Sequence, residues 1–246
     1  EMAQAKGYDV LLMDGQLDIH FIGLLEQKLE KSRFVRVDSD IVENLVKKED
    51  KGTTVLTSEE REMMTTVFKS QIPAIEKADF LVMFEPIGEK AQPVIITQNE
   101  FMRRMKDMSA MQPGMNFYGE LPDSFNLIVN TEHPLSKKII EDTENACKAE
   151  IEPIQGEIKT LQESVEKLRE NHKGKKDDEI PVPEKEDIKT KESKITELKK
   201  KEEDHLSTYA KSNNLVRQLV DLALLSNNML KGEALSQFVK RSVELL

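Results

Sequence analysis

Residues 101–115 read FMRRMKDMSAMQPGM and hold five methionines, Met102, Met105, Met108, Met111 and Met115, led by Phe101. The methionine thioether is unbranched, polarizable and uncharged. The chemistry open to such a group is non-covalent: soft contact with another apolar surface, re-packed as the partner changes. Covalent chemistry has no comparable grouping. Acidic residues adjoin one another often, as they must in a chain with 46 Asp and Glu, but nothing marks two of them as a catalytic acid and base. No phosphate-binding loop, nucleophile elbow or histidine-based triad signature is present, which argues against an enzyme. His20, His133, His172 and His205 are scattered, as is the single Cys147. They give no metal-ligand spacing, and the histidines read as surface or helix-capping residues.

Composition narrows the classes further. The net charge of −10 argues against a nucleic-acid partner, which needs a basic surface. No apolar run approaches the ~20 residues that span a membrane. One cysteine allows no intrachain disulfide and fits a reducing cytoplasm. Apolar residues make up 38% and charged residues 33%, a balance that suggests an extended, solvated part beside a core. The opening EMAQAKGYDV has no signal-peptide core and enters strand-like sequence at once; it reads as the start of a segment cut from something longer.

The methionines need an element to align them. At ~100° per residue, Phe101, Met105 and Met108 share one helix face, flanked by Met102 and Met111. Arg103, Lys106 and Asp107 lie opposite, with Arg104 at one edge. Such a helix either faces its own core or presents an adaptable surface to other chains. The polar TQNE before it and QPGM after it suggest tethering by flexible loops.

Around it the chain alternates. YDVLLM (8–13) and RFVRVD (33–38) read as strands, with LDIHFIGLLEQKLE (17–30) at helical spacing between them, a small α/β unit. A boundary is placed near residue 50. TSEEREMMTTVFKSQI (57–72) carries helix-start signals. DFLVMFEPI and QPVIITQ read as strands joined through GEKA in a hairpin. MNFYGEL and FNLIVN are two more strand candidates, and a helix over 133–148 starts with Pro134 at its first position.

From Lys148 to Leu206, 31 of 59 residues are charged, yet Ile151, Ile154, Ile158, Leu161, Val165 and Leu168 recur at alternating spacings of three and four. That is a heptad seam, which a flexible linker has no reason to keep. Ile188, Ile195 and Leu198 begin a second, weaker one. The glycine and prolines between them stop a helix and turn the chain. The expectation is an antiparallel helical hairpin with arms of about 20 residues, roughly 30 Å each, and a kink or restart at Pro153. The other reading is a solvated charged linker.

Residues 215–230 are apolar around much of a helix, and 233–246 form a cleaner stripe. A final surface helix needs one apolar stripe. Two such helices bury more area when a second copy packs on them, as a four-helix bundle across a two-fold axis; alternatively they serve only their own domain.

These pieces together resemble the C-terminal part of the heat-shock protein 90 chaperones of the bacterial HtpG type. YDVLLMDGQLDIHFIGLLEQ is similar to the end of the family's middle domain. QNEFMRRMKDM resembles its MRRMKEM-type segment, and LVRQLVDLALLSNNMLKGEALSQFVKRSVELL its closing pair of helices. The resemblance implies a homodimer sealed by the last helices, with Leu219, Leu222, Leu225, Leu235, Phe238, Val239 and Val243 as interface candidates. It also implies contact with partly unfolded client proteins through Phe101, Met102, Met105, Met108, Met111 and Met115. No cofactor is expected in this chain. ATP and magnesium would bind the nucleotide domain of the full-length protein, which this sequence lacks, so no ATPase activity is expected here. The ending VELL is not the acidic EEVD tail that docks co-chaperones in cytosolic eukaryotic members. Residues 149–212 depart from the family pattern.

The expected fold is therefore α+β. A small α/β segment, the end of a middle domain, covers 1–50. A mixed helix and short-sheet domain with a C-terminal helical dimerisation bundle covers 51–148 and 213–246. The charged coiled-coil hairpin, 149–212, is inserted in it. The expected function is the homodimerisation and client-binding region of an ATP-dependent, cytoplasmic stress-response chaperone. The alternative is a structural dimerisation scaffold whose coiled-coil arm docks a specific protein partner.

Overall fold

The computed structural model describes residues 2–5, 7–15, 17–29, 31–32, 34–39, 56–99, 101–105, 122–173 and 181–244. Its helices are α1 (Met2–Ala5), α2 (Asp18–Lys28), α3 (Ser58–Lys69), α4 (Pro134–Asn171), α5 (Val182–Ser212), α6 (Asn214–Ser226) and α7 (Gly232–Glu244). Its strands are β1 (Ala78–Glu85), β2 (Val94–Gln98) and β3 (Asp123–Asn130), so the class is α+β. Two compact units divide the chain. One holds residues 1–57, 72–137 and 218–246; the other holds 58–71 and 138–217.

The first unit contains the sheet. The expected hairpin does not form: β3 lies between β1 and β2, parallel to β1 and antiparallel to β2. The strand richest in buried residues takes the centre, since Leu127, Ile128, Val129 and Asn130 are all buried in succession. A central strand covered on both faces is apolar without alternation. Phe80 of β1 stacks on Phe125, its register partner in β3, with centroids 5.4 Å apart. Asn130 then ties the sheet to the turn after β1. Its Oδ1 accepts from Ile87 N (3.2 Å) and Glu132 N (3.1 Å), and its Nδ2 donates to Gly88 O (2.8 Å) and Gln92 O (3.3 Å).

The expected helix over 17–30 is α2, but YDVLLM and the described part of RFVRVD are not strands. A strand exists only against a neighbour that takes its backbone hydrogen bonds, and none is supplied there among the described residues. Leu11 and Leu12 are instead 63% and 97% exposed. The boundary near residue 50 and the candidate MNFYGEL lie outside the described residues.

In the second unit, the expected helix over 133–148 and the first charged arm are one helix of 38 residues. Pro134 opens it, and His133 caps it, its Nδ1 accepting from Leu135 N at 3.1 Å. The helix does not restart at Pro153. Proline there removes one backbone hydrogen bond; Pro153 is exposed, while Ile151 and Ile158 on either side are buried and hold the flanking turns. Pro181 and Pro183 do not stop a helix but begin one, at the N-cap and first turn of α5. All six residues of the first seam are buried or half-buried. Contacts between α4 and α5 run in reverse order: Glu150 with His205 (3.0 Å), Gln155 with Glu202 (2.7 Å), Glu157 with Lys194 (2.5 Å), Arg169 with Glu192 (2.6 Å) and His172 with Glu184 (2.5 Å). Partner numbers fall on α5 as they rise on α4, so the helices are antiparallel. His172, expected at the surface, is buried against Glu184. Helix α3 packs on α5 and buries Met63, Met64, Val67 and Phe68. Cys147 is buried, which with the charge of Glu150 pushes its thiol pKa up.

Candidate functional site

Two surfaces of the first unit collect the residues singled out in the sequence. One is the pair formed by α6 from Gln218 onward and α7. Asn213 caps α6, its Oδ1 accepting from Leu215 N (3.1 Å) and Val216 N (3.2 Å). Asn228 ends it in the left-handed region at φ 57°, where asparagine is tolerated. Met229 N reaches Leu224 O (2.9 Å) and Asn228 N reaches Leu225 O (3.0 Å), a Schellman closure that turns the chain into α7. Polar groups then hold the two helices together. Gln218 Nε2 donates to Ser242 Oγ at 2.6 Å, and Arg241 pairs with Asp221, both largely buried.

The fixed pair leaves apolar area uncovered. Leu219 and Phe238 are 5% and 9% exposed, so their area is already buried within the chain. Leu225 and Leu235 are half-buried. Leu222, Val239 and Val243 are 44%, 52% and 65% exposed. On α7, Val239 and Val243 lie about 100° and 140° round from Phe238. The apolar arc is therefore wider than the part its own chain covers.

The other surface is the start of the methionine segment. Residues 101–105 are helical. Asn99 caps them, its Oδ1 accepting from Phe101 N (3.0 Å) and Met102 N (3.3 Å), so the polar stretch before the helix is a cap and not a loose tether. Phe101 is 65% exposed; Met102 and Met105 are half-buried. Met108, Met111 and Met115 lie outside the described residues. The charged side of this turn is bound to its own unit. Arg104 reaches Glu26 through Nη1 (2.9 Å) and Nη2 (3.4 Å) and also donates to Phe34 O (2.8 Å). Arg103 reaches Asp38 at 2.6 Å. Partial burial pushes the Asp38 carboxyl up, but the hydrogen bond and charge of Arg103 and the charge of Arg36 outweigh it and hold the group below the usual aspartate range. The sequence reading left Glu26 and Asp38 aside and took the arginines for a polar face. Charge in so charged a chain carries no signal of its partner; only the Asn before the apolar period marked the cap.

Among the described residues no helix is long and apolar enough to cross a membrane. No family model matches the chain, and no solved structure matches it. Curated proteins do, and all of those named here are chaperones. The chain is 52% identical over 246 residues to the chaperone protein HtpG of Bacteroides fragilis and 51% to that of Bacteroides thetaiotaomicron, each match covering 100% of this chain and 36% of the relative. It is 47% identical over 247 residues to HtpG of Porphyromonas gingivalis, covering 99% of the chain and 36% of that protein. The chain is an HtpG-type heat-shock chaperone sequence along its whole length, and it spans about a third of the curated relatives it matches. The Bacteroides matches cover the whole chain, residues 149–212 included, so the charged segment expected to depart from the family has a counterpart in these relatives.

Proposed function

We infer that this chain is the region of an HtpG-type chaperone that joins two copies and holds partly unfolded clients between them. The observation that carries the first half is the exposure of Leu222, Val239 and Val243 on a helix pair locked by its own polar contacts. A rigid apolar face of this kind loses water contact favourably, at roughly 25 cal/mol per Å², and a second copy offers the same face across a two-fold axis. The client reading rests on Phe101, exposed beside Met102 and Met105, with Met108, Met111 and Met115 continuing the same pattern in the sequence.

In this reading residues 1–50 are the end of a middle domain, and 51–148 with 213–246 are the dimerisation and client-binding domain. Residues 149–212 are an inserted coiled-coil arm. The reversed ladder of contacts between α4 and α5 and the buried Ile151, Ile158 and Val165 support the arm. ATP and magnesium bind elsewhere in the full-length protein, which works in the cytoplasm. The deciding experiment is sedimentation of this chain across nanomolar to micromolar concentration, beside a Met102→Ser/Met105→Ser variant assayed for suppression of client aggregation. A monomer throughout removes the dimer; unchanged suppression removes the methionine contacts.

A further inference from the structure

The methionine turn is held in an unusual sense. An amphipathic helix ordinarily turns its apolar side to its own chain and its charges to water. Here the charges are tied down. Glu26 accepts two bonds from Arg104 while its Oε1 also accepts from Phe34 N at 2.8 Å, and Arg104 Nη2 donates to Phe34 O. One carboxylate thus binds α2, the backbone at residue 34 and the methionine turn together. Asp38 does the same one step along. Its side chain takes Arg103 at 2.6 Å and Arg36 at 3.4 Å, and its carbonyl accepts from Gln98 N at 3.2 Å, just before the Asn99 cap. The side chains of Arg103, Arg104 and Glu26 are all less than a third exposed, so water screens these contacts only in part.

Adjacent residues on a helix point ~100° apart, so two anchored neighbours fix rotation about the helix axis as well as position. A single ion pair would leave the turn free to roll. With Arg103 and Arg104 both held, Phe101 stays 65% exposed at the edge of the turn, while Met102 and Met105 are half-buried. We propose that Glu26 and Asp38 are positioning residues for client contact: they set the rotation of the turn at 101–105 so that Phe101 stays open to a client, and they tie that rotation to α2. The inference rests on the client-binding reading above.

The test uses full-length chaperone carrying Glu26→Gln with Asp38→Asn, the charge exchange Glu26→Arg with Arg104→Glu, or Met102→Ser with Met105→Ser. Amide hydrogen exchange is read over residues 101–105. Binding is read with reduced, carboxymethylated α-lactalbumin as a permanently unfolded probe. The neutralised variant should exchange faster at 101–105 and bind the probe more weakly, each by at least about tenfold, the factor for losing one hydrogen bond to a charged group. The charge exchange should restore much of both, which a merely damaged fold would not. Parent-like exchange and binding in the neutralised variant overturns the proposal. If exchange rises but neither the neutralised nor the methionine variant changes binding, the clasp holds the turn but not for client contact, and the client reading fails with it. Lost binding in the methionine variant beside parent-like behaviour of the neutralised one keeps the client reading and removes the positioning role.

Discussion

Arg241 of α7 pairs with Asp221 of α6, twenty residues back along the chain, and the two side chains are only 15% and 8% exposed. A charge so placed is costly to leave without its partner, because it is held largely out of water. Asp221→Ala should lower the stability of the chain by about 3 kcal/mol, measured as the shift of the urea midpoint. Asp221→Leu combined with Arg241→Met removes both charges and should recover most of that loss. A single substitution costing under about 1 kcal/mol, the range of an exposed pair, would show that water reaches the pair.

Asn130 is a polar residue in the most buried strand, with every hydrogen-bonding valence of its side chain used. Asn130→Ala strands the amides of Ile87 and Glu132 and the carbonyl of Gln92, while the Gly88 carbonyl keeps its bond from Ala91 N. The expected cost is about 3 kcal/mol, since the Ile87 amide is fully buried and such a group left unpaired costs about 1–3, the part-buried groups adding less. Faster amide exchange at Ile87, beyond that explained by global unfolding, locates the damage at the turn after β1. Parent-like exchange there would assign the loss to the core alone.

These two sites mark where sequence patterning stops. Period and punctuation were enough to find α2, α3, the strands at 78–85, 94–98 and 123–130, and the six-residue seam of α4. Each is a local consequence of which residues prefer burial. Pairing was not legible. GEKA between two apolar runs suggests a hairpin, yet the central place went to β3, which buries most; that choice depends on contacts far apart in sequence. The length of α4 was also missed, because Pro153 reads locally as a break and the packing of Ile151 and Ile158 around it does not. Of the candidate site, the apolar members were visible and their anchors were not. Arg103, Arg104, Glu26 and Asp38 look like any of the 82 Lys, Arg, Asp and Glu residues in the chain until distances pair them.

Pro153 gives a direct check on α4. A proline inside a helix costs up to about 3 kcal/mol relative to alanine. At this exposed site Pro153→Ala meets no new neighbour and restores the missing N–H. The substitution should raise the thermal midpoint and the far-ultraviolet helical signal of the chain. A fall in either would mean that the fold uses a bend there.

Glu144 of α4 titrates abnormally. Partial burial, followed by the charge of Glu60 on α3 and a hydrogen bond to it, raises its pKa above the ordinary glutamate value. A raised folded-state pKa means the native state binds the proton more tightly than the unfolded chain does. The stabilisation is complete below the unfolded pKa and is lost as pH rises through the higher, folded one. At neutral pH the two carboxylates repel. Glu144→Gln should therefore raise the unfolding midpoint at pH 7 and change it little at pH 4. Equal effects at both values would remove electrostatics as the cause.

The proposed dimer face makes the most exposed prediction, because Leu222, Val239 and Val243 have area to give while Leu219 and Phe238 have already given theirs. Val239→Asp with Val243→Asp places two charges where the second copy would close out water. Desolvating an unpaired charge at such a contact costs several kcal/mol, so the dissociation constant should rise by at least about a hundredfold. Both side chains are more than half exposed in the single chain, so the circular dichroism and thermal midpoint of the dilute protein should barely move. Phe238→Ala should do the reverse, lowering the midpoint through lost packing by about 3 kcal/mol. Sedimentation and thermal melts of the two variants separate contact from core. A doubly charged variant that still sediments as the parent does would remove this face as the contact between copies.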